Sequence, residues 1–248
     1  MIRSVLSAVV LSILVLVSAP AFATSTPVQC PSKCLLDFQG LGDLKSPGDF
    51  YNGAGFPGTP NYGVTFSSNF IGLVSYINGG SGNYSPTILT SLPNQPTIPI
   101  LSALFICPGG PPYCNSGSTT GIINVSPGFS NGINFFYSAA FAPGQTETVT
   151  IWSGANGTGT VLATMTLSGN NAGCSAPAFC NWSSAGVILK QGTTGYSVTF
   201  SGPGNQLGIT DITLGSSTTA IPEPSSVLLL GTGLVGISLN RIRRFLGV

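Results

Sequence analysis

The chain has 248 residues, only 5% of them charged, a formal net charge of +1, six cysteines and no histidine. Without an imidazole, Ser-His-Asp and Cys-His catalysis and histidine-ligated zinc or haem are excluded. Between the two apolar ends, Lys33, Lys45 and Lys190 stand against Asp37, Asp43, Asp49, Glu147 and Asp211, a balance of about −2, so no basic patch exists to attract a nucleic acid.

The N-terminus reads as a secretory signal peptide over residues 1–23. Arg3 supplies the charged start, Val5 to Val17 the apolar stretch, and Ala21-Phe22-Ala23 the small-residue site, with cleavage expected before Thr24. A retained membrane anchor is the alternative, against which the short apolar stretch counts. Residues 24–215 are then one exported domain, large enough for a sizeable core.

In that domain Gly and Pro punctuate short β-rich runs, and no long stretch has helical periodicity. Strands are predicted at 63–67, 70–76, 102–106, 121–125, 133–138, 186–190, 196–201 and 207–214. The clearest hairpin joins Thr146–Trp152 to Val161–Leu167. Val149 and Ile151 alternate with Thr148 and Thr150, Thr164 and Thr166 with Val161, Ala163, Met165 and Leu167 on the other face, and Asn156-Gly157 lies between. This pattern predicts an all-β fold, a single jelly-roll-like β-sandwich. Residues 216–220 form a polar tether.

The six cysteines of an exported chain read as disulfides. They fall into three close pairs, Cys30 with Cys34, Cys107 with Cys114, and Cys174 with Cys180, each bracketing a Pro- or Gly-type turn or loop. Local pairing is expected, although six cysteines permit other connectivities. Zinc is the rival, but none of the pairs has the two-residue spacing of a zinc knuckle. Asp37, Asp43 and Asp49 match no catalytic carboxylate pattern and read first as turn and strand-end residues. Tyr51, Tyr62, Tyr76, Tyr84, Tyr113 and Trp182 sit in loop-rich contexts. All six are candidate platforms for a sugar, whose faces are apolar and edges polar, with Tyr51, Tyr62 and Trp182 foremost and packing over a neighbouring disulfide the alternative for Tyr113 and Trp182. Trp152 and Phe135-Phe136-Tyr137 are expected in the core.

Residues 221–248 form a separate unit. Pro222-Glu223-Pro224 is rigid and extended, because each proline fixes φ and lacks an N–H. An apolar run from Ser225 to Leu239 follows, then Arg241, Arg243 and Arg244. At about 1.5 Å per residue the run is short for a hydrocarbon core of about 30 Å, which leaves a buried core helix as the rival. Three arginines within four residues fit a cytoplasmic membrane stop better. Gly231 to Gly236 matches a dinucleotide fingerprint but lacks the βαβ setting that motif needs, and reads as small residues of the apolar helix.

This tail resembles that of the PEP-CTERM proteins of Gram-negative bacteria. The resemblance implies an inner-membrane-held precursor, processed near Pro222-Glu223-Pro224 by an exosortase-type enzyme, and sorting linked to exopolysaccharide. Asp37-Phe38-Gln39-Gly40, Phe50-Tyr51-Asn52-Gly53, Asn61 to Ser67 and Gln206 to Gly215 are similar to one group of PEP-CTERM ectodomains. That group usually has Asp-Phe-Glu where this chain has Gln39, and Phe-Asp-Asn-Ile where it has Ile209-Thr210-Asp211-Ile212. Such ectodomains look like carbohydrate-binding jelly rolls. In that setting a calcium site is expected where the first and last strands meet, at Asp37 and Asp211, with Asp43 a further candidate. The function expected is a non-enzymatic surface or matrix protein that binds carbohydrate. An extracellular metal-dependent hydrolase and a purely structural matrix protein are the alternatives.

Overall fold

The computed structural model describes residues 34–53, 58–88, 98–110 and 114–216. The signal-peptide segment, Cys30, Tyr113, the sorting tail and nearly all of the tether lie outside the described residues.

Thirteen strands follow one another among the described residues: β1 (Cys34–Leu36), β2 (Val64–Phe66), β3 (Phe70–Leu73), β4 (Thr87–Ile88), β5 (Ile98–Pro99), β6 (Ala103–Ile106), β7 (Thr120–Phe129), β8 (Gly132–Ala139), β9 (Thr146–Trp152), β10 (Val161–Ser168), β11 (Ser183–Ile188), β12 (Gly195–Ser201) and β13 (Leu207–Leu214). Two 3-10 turns, Tyr76–Asn78 and Ala155–Gly157, interrupt them.

The pairing is nested. β9 pairs with β10, β8 with β11, β7 with β12 and β6 with β13, all antiparallel. Successive levels of this folded ribbon alternate between two sheets, ordered β10-β9-β12-β7-β2 and β11-β8-β13-β6-β3. That alternation is the wrapping of a jelly roll, so the all-β expectation holds. β4 and β5 form a small ribbon apart.

Alternation along the strands builds the core between the sheets. In β9, Glu147, Val149 and Ile151 are buried, while Thr146, Thr148 and Trp152 are at least partly exposed. The β10-β9-β12-β7-β2 sheet sends Val64, Phe66, Ile123, Val125, Val198 and Phe200 inward. Opposite them lie Phe70, Leu104, Phe135, Ile209 and Leu214. Phe200 stands edge-on to Phe135 and Phe70, at ring distances of 5.4 and 6.4 Å, a favourable arrangement for aromatic quadrupoles. The hairpin of β9 and β10 agrees with its prediction except at Val161, where a register shift before Ala163 breaks the alternation and leaves Val161 exposed, and Asn156 and Gly157 adopt positive φ, 57° and 66°.

A second core covers the far side of the β11-β8-β13-β6-β3 sheet. Ile71, Ala103, Phe105 and Cys107 pack there beneath Tyr84, Ile100, Phe179 and Trp182, with Phe136 alongside. Strand β6 is buried throughout, and its run Ala-Leu-Phe-Ile is continuously apolar because both its faces meet packed layers. Two disulfides flank this layer, Cys107–Cys114 and Cys174–Cys180. The third close pair includes Cys30 and so lies partly outside the described residues.

The structure corrects several expectations. Trp182 is only 9% exposed, its indole N–H donates to the Ser85 carbonyl at 3.1 Å, and its ring stands edge-on to Tyr84. It is a core residue, not a sugar platform, because the second layer closes over it. Tyr84 is likewise fully buried and donates to the Leu73 carbonyl at 2.8 Å. Trp152, expected in the core, lies half-buried on the outer side of its sheet, held by a 2.9 Å bond from its indole N–H to Thr199 Oγ1. The strand predicted at 186–190 runs earlier, at Ser183–Ile188.

Candidate functional site

The first and last strands meet where two partners share one edge of β13. Gly208 and Ile209 pair with β6, and Ile212 to Leu214 pair with β1. On the other side Thr210 faces Phe136 and Thr213 faces Asn134, so β13 holds one residue more than β8 here. This is a β-bulge. Asp211 occupies it at a φ of 49°, a left-handed conformation that aspartate tolerates better than most residues.

Directly after β1 comes Asp37, followed by Phe38, also left-handed at a φ of 56°. That conformation is costly for a bulky residue, and two contacts hold it. The Phe38 ring is buried against Phe66 and Tyr51, each at 5.7 Å, and its N–H donates to the Tyr51 hydroxyl at 2.7 Å. That hydroxyl donates in turn to Asp37 Oδ1 at 3.1 Å, and the Gln39 N–H donates to the same oxygen at 3.2 Å. Tyr51 therefore aims the Asp37 carboxylate. It is itself buried, which pushes its hydroxyl pKa well up, so it acts as a fixed support and does not serve as an exposed platform.

Asp37 and Asp211 are close enough to interact. Burial, and then the charge of Asp37, push the Asp211 carboxyl up to about 6. A carboxyl raised by burial and by a neighbouring negative charge is eased by a cation. The pair suits a hard, oxygen-seeking ion, which would draw further ligands from backbone carbonyls and water. Among the described residues no cluster of three or more acidic, histidine or cysteine side chains adds to it.

Asp43 and Asp49 have other work. Asp43 accepts from the Val74 N–H at 2.8 Å, the Ser81 N–H at 3.0 Å and the Ser81 hydroxyl at 2.7 Å. Burial alone would raise its carboxyl, but these bonds outweigh that and hold it below its usual range. It pins the loop around the 3-10 turn Tyr76–Asn78. Asp49 accepts from the Asn52 side chain at 3.3 Å within its own turn.

A cleft of about 300 Å³ opens beside Asp37. Leu35, Pro60 and Tyr62 supply its apolar walls, and Asp37, Gln39 and Thr59 its polar ones. Tyr62 lies nearly parallel to the buried Tyr51, with ring centroids 6.0 Å apart and planes 13° apart. It is the partly exposed outer member of a two-ring stack. Asp37, Tyr51 and Tyr62, which the sequence nominated separately, thus converge on one cleft. Trp182 belongs elsewhere, in the second core.

Sequence reasoning passed over Glu147. It points inward from β9 and is fully buried, and among the described residues neither carboxylate oxygen has a hydrogen-bond partner. Burial pushes its carboxyl up to about 8. The signal was available in the β9 alternation, which places residue 147 on the same face as Val149 and Ile151.

At the C-terminal end, residues 220–244 match the PEP-CTERM protein-sorting motif. The chain carries a PEP-CTERM sorting tail. That tail marks an exported cell-surface protein and a substrate of an exosortase-type enzyme. No curated protein matches the chain. Similar solved structures include the K2 cleaved adhesin domain of Lys-gingipain, at 13% identity and a TM-score of 0.42, covering 75% of this chain and 100% of that domain. The K1 domain of Lys-gingipain from Porphyromonas gingivalis is similar at 12% identity and a TM-score of 0.35, covering 62% of this chain and 99% of that domain.

Proposed function

We propose that the PEP-CTERM ectodomain is a non-enzymatic, glycan-binding module of the cell surface, associated with exopolysaccharide. The observation that carries this reading is the Tyr62 ring, backed by buried Tyr51, beside Asp37, Gln39 and Thr59. One apolar ring face next to carboxylate, amide and hydroxyl groups is the chemistry that holds a sugar. Calcium bridging Asp37 and Asp211 would relieve their repulsion and fix β1 to β13.

The test combines glycan binding with thermal unfolding. Tyr62→Ala is expected to weaken binding of short oligosaccharides by about tenfold, since one aromatic contact is worth about 1 kcal/mol or slightly more. Calcium should raise the melting temperature through binding to the folded state alone, and Asp211→Asn should abolish that rise. An unchanged melting temperature on chelation, with no glycan bound, would favour the purely structural matrix protein. A metal-dependent hydrolase would use the same carboxylate pair, and turnover of a polysaccharide that Asp37→Asn abolishes would favour it.

Sorting has its own test. The precursor is held in the inner membrane by its apolar helix and the Arg241, Arg243 and Arg244 stop, then processed near Pro222-Glu223-Pro224. Pro222→Ala with Glu223→Ala should leave export intact and trap an unprocessed, membrane-held form on fractionation. Normal processing of that double variant contradicts the role given to the motif.

A further inference from the structure

A second cleft, of about 390 Å³, lies at the β2 side of the other sheet, between β2, β7, β12 and the 3-10 turn Ala155–Gly157. Its walls carry Asn52, Thr65, Asn124, Ser126 and Tyr196. The turn is fixed as one wall by reciprocal bonds. Asn124 Nδ2 donates to Asn156 Oδ1 at 2.8 Å, and the Asn156 N–H donates to Asn124 Oδ1 at 2.7 Å. The Ser197 hydroxyl donates to the Gly154 carbonyl at 2.6 Å and accepts from the Gly157 N–H at 3.0 Å.

Tyr196 is 39% exposed, and its ring rests against Gly128. Gly128 has a φ of 73°, and a Cβ there would come within 3.0 Å of the Tyr196 ring and 2.5 Å of the Thr194 methyl. The absent side chain leaves the room that the ring occupies.

From this cleft the outer face of the sheet continues as rows across the strands. Asn124, Ser197 and Trp152 are in register, as are Ile122, Thr199, Thr150 and Thr164, but Ser197 is buried beneath the turn and Thr199 and Thr150 are buried too. Thr120, Ser201, Thr148 and Thr166 make the next row. Neighbours within a row are about 4.8 Å apart, the strand spacing of any sheet. Among the five strands of this sheet the only Asp, Glu, Lys, Arg or His is Glu147, and it points inward.

We propose that this cleft and the adjoining rows bind an extended, uncharged polysaccharide chain. Tyr196 offers a ring face for one sugar, while Asn52, Thr65, Asn124 and Ser126 offer amide and hydroxyl partners for its edges. The row of Thr120, Ser201, Thr148 and Thr166, at least partly exposed throughout, extends the contact over successive sugars. The absence of charge selects a neutral chain, because an anionic polymer would find no counter-charge here and gain nothing from counterion release. This proposal rests on the glycan-binding reading but places the long-chain contact on a different sheet from the Tyr62 cleft.

The experiment uses the intact exported protein and a panel of neutral glucans, mannans and galactans, each as long chains and short oligosaccharides, with alginate as the anionic control. Binding is read by calorimetry at low and moderate salt. At least one neutral chain is expected to bind with an affinity that rises with length and barely changes with salt. Tyr196→Ala and Asn124→Ala should each weaken long-chain binding by about tenfold, the value of one aromatic or well-placed polar contact, and Tyr196→Ala should leave the melting temperature unchanged. Tyr62→Ala should weaken short oligosaccharides and preserve the dependence on length. Affinity independent of length, full long-chain affinity in Tyr196→Ala, or preference for alginate that collapses with salt would each overturn the proposal. If Tyr62→Ala is silent while Tyr196→Ala is not, the first cleft fails and the second stands.

Discussion

The two sheets turn opposite chemistry outward. On the β10-β9-β12-β7-β2 sheet the outer side chains are Thr148, Thr150, Thr164, Thr166, Thr199 and Ser201, with no ionised group among them. On the β11-β8-β13-β6-β3 sheet they are Ile71, Ala103, Phe105 and Phe136, roofed by Tyr84, Phe179 and Trp182. Both faces avoid charge, yet only the second carries a packed apolar layer; on the first, Thr150 and Thr199 are buried among their neighbours while Thr164, Thr166 and Ser201 stay exposed. Apolar area left open would be an association hazard, whereas hydroxyls on β-branched side chains keep an uncharged face hydrated and still favour strand geometry. The difference teaches that the roof over the second sheet is structural, and that the first sheet needs none, because its exposed positions such as Thr164, Thr166 and Ser201 carry hydroxyls.

If that division is right, the largest effect should come from the roofed side. Trp182→Ala removes a buried ring and should cost about 3 to 5 kcal/mol, read by urea unfolding. Trp152→Ala, on the half-buried outer side, should cost clearly less. Equal losses would break the contrast between the faces.

Glu147 sharpens it from inside. Its carboxyl is raised in the folded state, from an ordinary value of 4.5 to about 8. The unfolded chain therefore ionises first, and stability falls as pH rises through that window. Glu147→Met should remove this dependence and stabilise the protein by about 1 to 3 kcal/mol above pH 8, by sparing an unpaired buried polar group. Thermal unfolding at pH 4.5 and pH 8.5 checks both the sign and the window, with little difference expected at the lower pH. A pH dependence unchanged in the variant would assign the effect to another group.

The smallest effect belongs to the hydroxyl-bearing face. Thr148→Lys should change stability by no more than about 0.5 kcal/mol, as surface substitutions usually do. A larger loss in denaturant would mean that something in the fold already covers this face.

Most of the first core could be read in advance because alternation is local. Val149 and Ile151 declare an inward face within their own strand, and Asn156-Gly157 marks the turn that returns the chain. The second core could not. Tyr84 and Trp182 sit in loops whose residues show no period, and their burial depends on Phe105 and Ile71, strands distant in the chain that sheet order brings beneath them. β1 is three residues long, too short to show a period of two. The convergence of Asp37 with Tyr51 and Tyr62 required the hydroxyl of Tyr51 to reach back to β1, a contact over fourteen residues that no spacing announces.

The place of β13 has a consequence for how the protein leaves the cell. This last strand, Leu207–Leu214, lies between β8 on one side and β6 and β1 on the other. A chain that crosses a membrane from its N-terminus delivers β13 after every other strand. Until it arrives, β6 and β8 have no common neighbour, and Ile209, Ile212 and Leu214 are missing from the core. The domain therefore completes its folding only when residue 214 has emerged, a few residues ahead of the sorting motif that begins at residue 220. Long-range pairing of this kind is slow, and the strand that must arrive last is the one that stands directly before the sorting motif.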